Sequence, residues 1–171
     1  WMGMEISYTS VGHFNAYPLG IDPDNPFAMI GAQFWAMKGP QTMMEDVLSL
    51  WPESVVQINH PRSGLSGSFS YLNLDPFTGE VRAEGKTFPT LATAVEINDE
   101  LAPPELLGPN GTEILQKMGS DDIPAMVDWL NLLDRGVVLT GMANSDSHNY
   151  GSGTGYPRSY LYVGEGQPVL E

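Results

Sequence analysis

The run Val137-Val138-Leu139-Thr140-Gly141, with Asn144-Ser145-Asp146-Ser147-His148 close behind it, decides how this chain is read. The first run is aliphatic and β-branched, which predicts a buried strand. An Asp and a His two residues apart, on leaving such a strand, would point the same way, because side chains alternate faces along extended backbone. One carboxylate and one imidazole converging on a point make half of a divalent-metal site of the kind zinc, manganese or iron prefers. The chain holds only three histidines, and the other two stand in similar settings, Gly12-His13-Phe14-Asn15 and Asn59-His60-Pro61-Arg62.

Working outward, Ile123, Met126, Val127, Leu130 and Leu133 recur at helical spacing before the decisive strand. A helix is expected from a cap at Asp121 or Asp122, through Pro124 in its first turn, to Asp134. Gly136 suits the left-handed position that ends it. Gln41 to Trp51 reads as another helix, with Met43, Met44, Val47, Leu48 and Trp51 on one side and Pro52 closing it. Further strands are expected at Glu5 to Tyr8, His13 to Leu19, Ser54 to Asn59, Thr93 to Ile97 and Arg158 to Val163. Gly20 to Pro26 reads as a turn-rich connection, Ser63 to Lys86 as loop with one short helix, and Asn98 to Gly119 as a long excursion. Apolar strands alternating with helical segments imply the α/β class, with a largely parallel sheet, open or closed into a barrel. No linker divides the chain, so residues 1–171 read as a single domain. It opens at Trp1 directly on a strand pattern and stops soon after another, which reads as a piece of a longer polypeptide.

Composition narrows the function. At 42% apolar and 16% charged residues this is a globular chain, not a disordered one. A net charge of −14, from 21 acids against seven bases, argues against a nucleic-acid partner, which needs clustered Lys and Arg. No apolar run is long enough to cross a bilayer and no signal segment opens the chain, so a soluble protein acting on a small molecule is expected. The compartment stays open between cytoplasm and periplasm or secretion, and the oligomeric state is open too. Without cysteine there is no disulfide, thiol nucleophile or sulfur ligand.

The candidate site assembles by position along the chain. Glu5 lies in the first strand, His13 opens the second, His60 follows the third, Glu96 sits on the fourth, and Asp146 and His148 follow the fifth. In parallel α/β barrels functional groups gather at the carboxyl ends of strands. Each residue also has a blander reading. Asp146-Ser147-His148 makes an Asx turn with an exposed histidine equally well. His60 and His13 read alone as hydrogen-bonded loop residues, and Glu5 as an exposed strand carboxylate. Glu96, between Val95 and Ile97, requires a partner or a solvated edge, since an unpaired buried carboxylate is costly.

The segments Gly3-Met4-Glu5, Gly12-His13-Phe14-Asn15, Asn59-His60-Pro61-Arg62, Val95-Glu96-Ile97, Asn144-Ser145-Asp146-Ser147-His148 and Gly155-Tyr156-Pro157-Arg158 occur in this order. Together they resemble the C-terminal two-thirds of a PHP-domain metallohydrolase (polymerase and histidinol phosphatase superfamily), in the branch that includes carbaryl-esterase-type enzymes. The resemblance implies a distorted seven-stranded β/α barrel, here incomplete, with its N-terminal strands and closing helix missing. It implies two or three divalent ions (Zn, Mn or Fe) in the complete protein, with Glu5 as bridging carboxylate and His13, His60, Asp146 and His148 as terminal ligands. The role of Glu96, near the site, stays open. The family's opening His-x-His strand and its later Asp-His motif have no counterpart here, so about half of the ligands are expected on this chain. The implied chemistry is hydrolysis of a phosphoester by a metal-activated water, with Arg158 at the rim and Arg62 as catalytic anion clamps on an anionic substrate. A carbamate, ester or amide is the alternative substrate, and a degenerate metal-binding domain without catalysis the alternative role.

Overall fold

The computed structural model describes residues 2–8, 11–20, 24, 38–97, 109–110, 113–114, 116–117, 123–148, 158–160 and 164. Strands β1 (Met2–Tyr8) and β2 (Gly12–Leu19) form an antiparallel hairpin in which Tyr8 faces Gly12. So short a connection only reverses the chain, because parallel neighbours need a crossover of about a dozen residues or more. Gly12 adopts φ +128, and a Cβ there would lie 2.7 Å from the Cβ of Ser68, so glycine is required on both counts. Helix α1 (Pro40–Leu50) follows, and β3 (Val55–Asn59) returns antiparallel to β2. A single turn, α2 (Ser68–Tyr71), precedes β4 (Ala94–Glu96); helix α3 (Ala125–Asp134) precedes β5 (Thr140–Met142). Strands β4 and β5 add in parallel, giving a five-stranded sheet in the order β1-β2-β3-β4-β5.

This open, mixed sheet, with three helices among the described residues, overturns the expected seven-stranded β/α barrel. The reason lies in the first half of the chain, where two consecutive pairings are antiparallel. The largely parallel sheet is confined to β3, β4 and β5. The expected connection at Gly20 to Pro26, the excursion at Asn98 to Gly119, the caps Asp121 and Asp122, and the end of the Arg158 to Val163 strand fall largely outside the described residues. Residues 158–160, which are described, carry no regular structure. No helix among the described residues is long and apolar enough to cross a membrane.

The two faces of the sheet follow from strand alternation. Ile6, Phe14, Ala16, Val56, Ile58 and Val95 point into one core with Met43, Met44 and Val47 of α1. The residues between them, Glu5, His13, Asn15, Tyr17, Gln57 and Asn59, face the other way. That face is polar and internally bonded: the Tyr17 hydroxyl donates to Gln57 Oε1 (2.8 Å), and Gln57 Nε2 donates to Asn59 Oδ1 (2.9 Å).

Helix α3 starts later and is rotated from the expected phase. Leu130 is 39% exposed, whereas Asp128 is buried beside Ala125, Val127 and Leu132. Arg62 accounts for the rotation. Its Nε donates to Asp128 Oδ2 at 2.9 Å, and its Nη2 donates to Asp128 Oδ1 at 2.6 Å and to the Leu74 carbonyl at 2.8 Å. Burial pushes the Asp128 carboxyl up from its ordinary value, and the hydrogen bonds and charge of Arg62 pull it back. At the other end Gly136 takes φ +80, its N–H reaching the Leu133 carbonyl (2.9 Å) and that of Val137 the Leu132 carbonyl (3.0 Å). This is a Schellman ending, at the glycine expected to supply it.

Breaking a buried ion pair from one side strands the other charge, at a cost of about 3–5 kcal/mol, whereas replacing both partners by apolar residues is close to neutral. Asp128→Ala is therefore expected to lower unfolding stability by that amount in urea titrations, and the Arg62→Met/Asp128→Leu double variant by clearly less. Equal losses in the two would show that the pair is not what holds α3 in place.

Candidate metal centre

The polar face of the hairpin carries the candidate centre. In the pairing of β1, β2 and β3, Ser7, His13 and Asn59 lie abreast, and Glu5 stands one diagonal step from His13. The Glu5 carboxylate approaches His13 Nδ1 at 3.2 Å and accepts a hydrogen bond from the Ser7 hydroxyl at 3.1 Å. His60 comes from the residue after β3. Alternation alone would turn it to the core side with Ile58, but its φ of +23 redirects the chain. Its ring then meets His13 edge to face, with centroids 4.8 Å apart. The ligand-capable atoms of Glu5, His13 and His60 all lie within 4.8 Å of one another, the one such group among the described residues.

A four-coordinate zinc with bonds of about 2.0–2.1 Å spaces its ligand atoms roughly 3.4 Å apart. The Glu5–His13 contact of 3.2 Å has that spacing, and the full set, whose atoms lie within 4.8 Å of one another, would have to draw together around an ion. A further feature fits a cation. His60 is buried, and its Nδ1 has no hydrogen-bond partner among the described residues. Most buried ring nitrogens in folded proteins have a partner, either protein or water, and this atom has a place for one.

Glu96, whose role the sequence left open, holds the His60 backbone. Its Oε2 accepts the His60 N–H at 2.5 Å in a buried setting. This meets the requirement that the Glu96 carboxylate find a partner, and it anchors the residue whose dihedral is unfavourable. Glu96 is thus a positioning residue for His60.

The remaining expected site residues are arranged differently. β5 ends at Met142, and Asp146 has φ +41, so the strand alternation that would aim Asp146 and His148 together does not extend to them. His148 Nδ1 sits 2.6 Å from the Asp146 carbonyl and 3.6 Å from its carboxylate, with the His148 side chain 76% exposed. These two residues meet each other and stand outside the three-residue group. Asp146 is still close enough for its charge to favour a protonated His13. Arg62, expected as an anion clamp, is turned into the core against Asp128, with 5% of its side chain exposed. Arg158 is exposed. The hydroxyl of its neighbour Ser159 accepts the Ala143 N–H at 2.8 Å, which lays 158–160 beside the segment after β5.

Two contributors were missed. Ser7 buttresses Glu5 from the same strand face, which the two-residue spacing could have revealed. Asp128 had no visible signal, because its partner lies 66 positions earlier.

Burial pulls His13 below the ordinary histidine value, and the neighbouring His60 acts in the same direction, while Glu5 and Asp146 oppose them. In the metal-free chain the His13 ring proton signals are expected to titrate below pH 6.5. The folded state then binds fewer protons than the unfolded state just below that value. Stability from this group is complete above about pH 6.5 and declines as pH falls through the folded His13 value. A ring that titrated above the ordinary value would contradict the described surroundings.

No protein-family model, curated protein or solved structure matches this chain. The likeness to PHP-domain metallohydrolases therefore rests on the short ordered motifs themselves.

Proposed function

We propose that this chain is a divalent-metal-dependent hydrolase whose cation lies between Glu5, His13 and His60. One observation carries the reading: a carboxylate and two imidazoles from three separate stretches of backbone converge with their ligand atoms within 4.8 Å. Two imidazoles and one carboxylate, with a fourth position left for water, is the ligand count of hydrolytic zinc centres, and iron or manganese suits the same donors. A bound cation would supply Lewis acidity, bringing the pKa of a coordinated water to about 7. The residues of the chain do the rest. His13, held below its ordinary pKa, presents a neutral ring near neutral pH. Ser7 and Glu96 orient Glu5 and His60, as outer partners do around metal ligands. After Glu5, Asp146 is the carboxylate whose charge bears on His13, and extension to a second cation would draw on it.

The substrate reading shifts with Arg62. A phosphoester hydrolase wants guanidinium forks for the anion, and Arg62 is committed to Asp128. Of the two expected clamps only Arg158 is exposed, on a chain of net charge −14 that repels anions. A neutral carboxylic ester, carbamate or amide needs no clamp and is the favoured class.

The test starts from chain stripped of metal. Zinc or manganese at about 100 times its dissociation constant stabilises by roughly 2.7 kcal/mol. For a domain of this size that raises Tm by roughly 5–11 °C. His13→Ala and Glu5→Gln, both on partly exposed side chains, are expected to remove the shift. The loaded chain should then hydrolyse a nitrophenyl ester or carbamate faster than bis(nitrophenyl) phosphate. No metal-induced shift rejects the site, and a shift without turnover leaves a non-catalytic metal-binding domain.

A further inference from the structure

Asn59 opens the Asn-His-Pro-Arg motif, and neither the three-residue group nor the core accounts for its side chain. In the sheet it lies directly opposite His13, and His60 follows it in the chain. Opposite residues of paired strands bring their Cβ atoms to about 4.5–5.5 Å, with both side chains leaving the same face. Asn59 thus adjoins both histidines of the candidate centre from the polar side of the sheet.

The side chain is held in one orientation. Asn59 is only 6% exposed, and its Oδ1 accepts Gln57 Nε2 at 2.9 Å. Gln57 is buried as well, and its Oε1 accepts the Tyr17 hydroxyl at 2.8 Å. Burial pushes the Tyr17 hydroxyl up from its ordinary value, so it keeps its proton and donates across the neutral range. A side-chain amide has one oxygen acceptor and one nitrogen with two donors. With the oxygen engaged, the nitrogen is the end left over, and Nδ2 has no acceptor among the described residues. Nor is Nδ2 one of the unbonded polar atoms sealed from solvent, so a ligand can reach it. An aliphatic residue would fill this space without desolvating an amide, so a chain of two buried hydrogen bonds that aims one donor exceeds what packing requires.

We propose that Asn59 is a catalytic residue whose Nδ2–H donates to the carbonyl oxygen of the ester, carbamate or amide under attack, a role that rests on reading Glu5, His13 and His60 as the metal ligands of a hydrolase. When water adds to the carbonyl carbon, the π electron pair moves on to the oxygen. Its return breaks the bond to the leaving alcohol or amine, which departs with a proton that came from the water. The oxygen is most negative midway, so a donor already in place there favours the transition state over the bound substrate. One aimed donor also suits a carbonyl, where the charge develops on a single oxygen, better than a phosphoryl group, which spreads it over several.

The test uses the full chain loaded with zinc, nitrophenyl acetate as substrate and acetohydroxamate as a carbonyl probe. Asn59→Asp keeps the size and the oxygen that Gln57 bonds, and removes the donor. It should retain the zinc-induced rise in Tm while kcat falls about 10²–10³-fold and KM stays within about threefold. Tyr17→Phe, which only loosens the aim of Gln57, should lower kcat by about fivefold or less. In the unsubstituted, isotope-labelled chain, the side-chain NH2 protons of Asn59 should move downfield as acetohydroxamate saturates the site, a readout that needs no variant to fold. Turnover by Asn59→Asp equal to that of the unsubstituted chain, or Asn59 protons that stay put at saturation, overturns this role while the zinc-induced rise in Tm stands. Absence of that rise in the unsubstituted chain removes the metal site, and the role of Asn59 with it.

Discussion

The register of β2 is the constraint on which the rest depends. It is hydrogen-bonded on both sides, to β1 and to β3, and its side chains alternate with a period of two. Phe14 and Ala16 go to the core, and His13, Asn15 and Tyr17 go to the polar face. A slip of one residue would exchange the two sets, burying an imidazole and exposing a phenyl ring. Core packing and the candidate centre are thus set by one pairing. The apolar residues of β2, closing on α1, hold His13 where Glu5 and His60 can reach it. Gly12 makes this possible, since only glycine fits both its dihedral and its contact with Ser68.

The Arg62–Asp128 pair ties the parallel half of the sheet to this arrangement. Pro61 and Arg62 follow His60 directly, so an interaction that fixes the guanidinium also fixes the turn that carries the imidazole. The Phe69 and Ser63 N–H groups bond back to the Pro61 and His60 carbonyls at 2.8 and 2.9 Å. Gly67 packs so tightly on this turn that a Cβ there would lie 2.5 Å from the Pro61 oxygen. A charge spent inside the frame is not available to a substrate. The Asn-His-Pro-Arg motif therefore divides its work, the histidine facing the candidate centre and the arginine the core.

Much of this was legible in the sequence, for physical reasons. Helix α1 was, because Met43, Met44 and Val47 mark one face and Pro40 and Pro52 bound it. Strands β1 to β4 were, because alternation and β-branching act locally, but the Val137-Val138-Leu139 run only leads into the strand observed at Thr140–Met142, with Val138 81% exposed. The connection between Tyr8 and Gly12 also contained the case against a parallel barrel, since so few residues cannot cross over. Other features depend on distant partners. The phase of α3 is set by an arginine 66 positions away, so a leucine pattern placed Leu130 inward where Asp128 is found. Glu5, His13 and His60 meet because of the hairpin and the turn after β3. Asp146 and His148 instead form a local turn, which strand spacing had no means of detecting once β5 ended at Met142.

His60 gives the strongest physical argument that the polar face is built for more than packing. A non-glycine residue at positive φ is unfavourable by about 1–3 kcal/mol and persists only where its surroundings over-determine it. Here a buried glutamate accepts its N–H, and its carbonyl accepts the Ser63 N–H. That scaffold does not serve the apolar core, because an unstrained residue would continue the strand and point inward with Ile58. What the strain achieves is delivery of an imidazole to the polar face, against His13, with Nδ1 buried and unbonded among the described residues. Burial and the neighbouring His60 both favour a neutral His13 ring. A neutral imidazole beside a carboxylate has a lone pair to give, and a shared cation is the partner that would relieve the unbonded His60 nitrogen and use the strained backbone together.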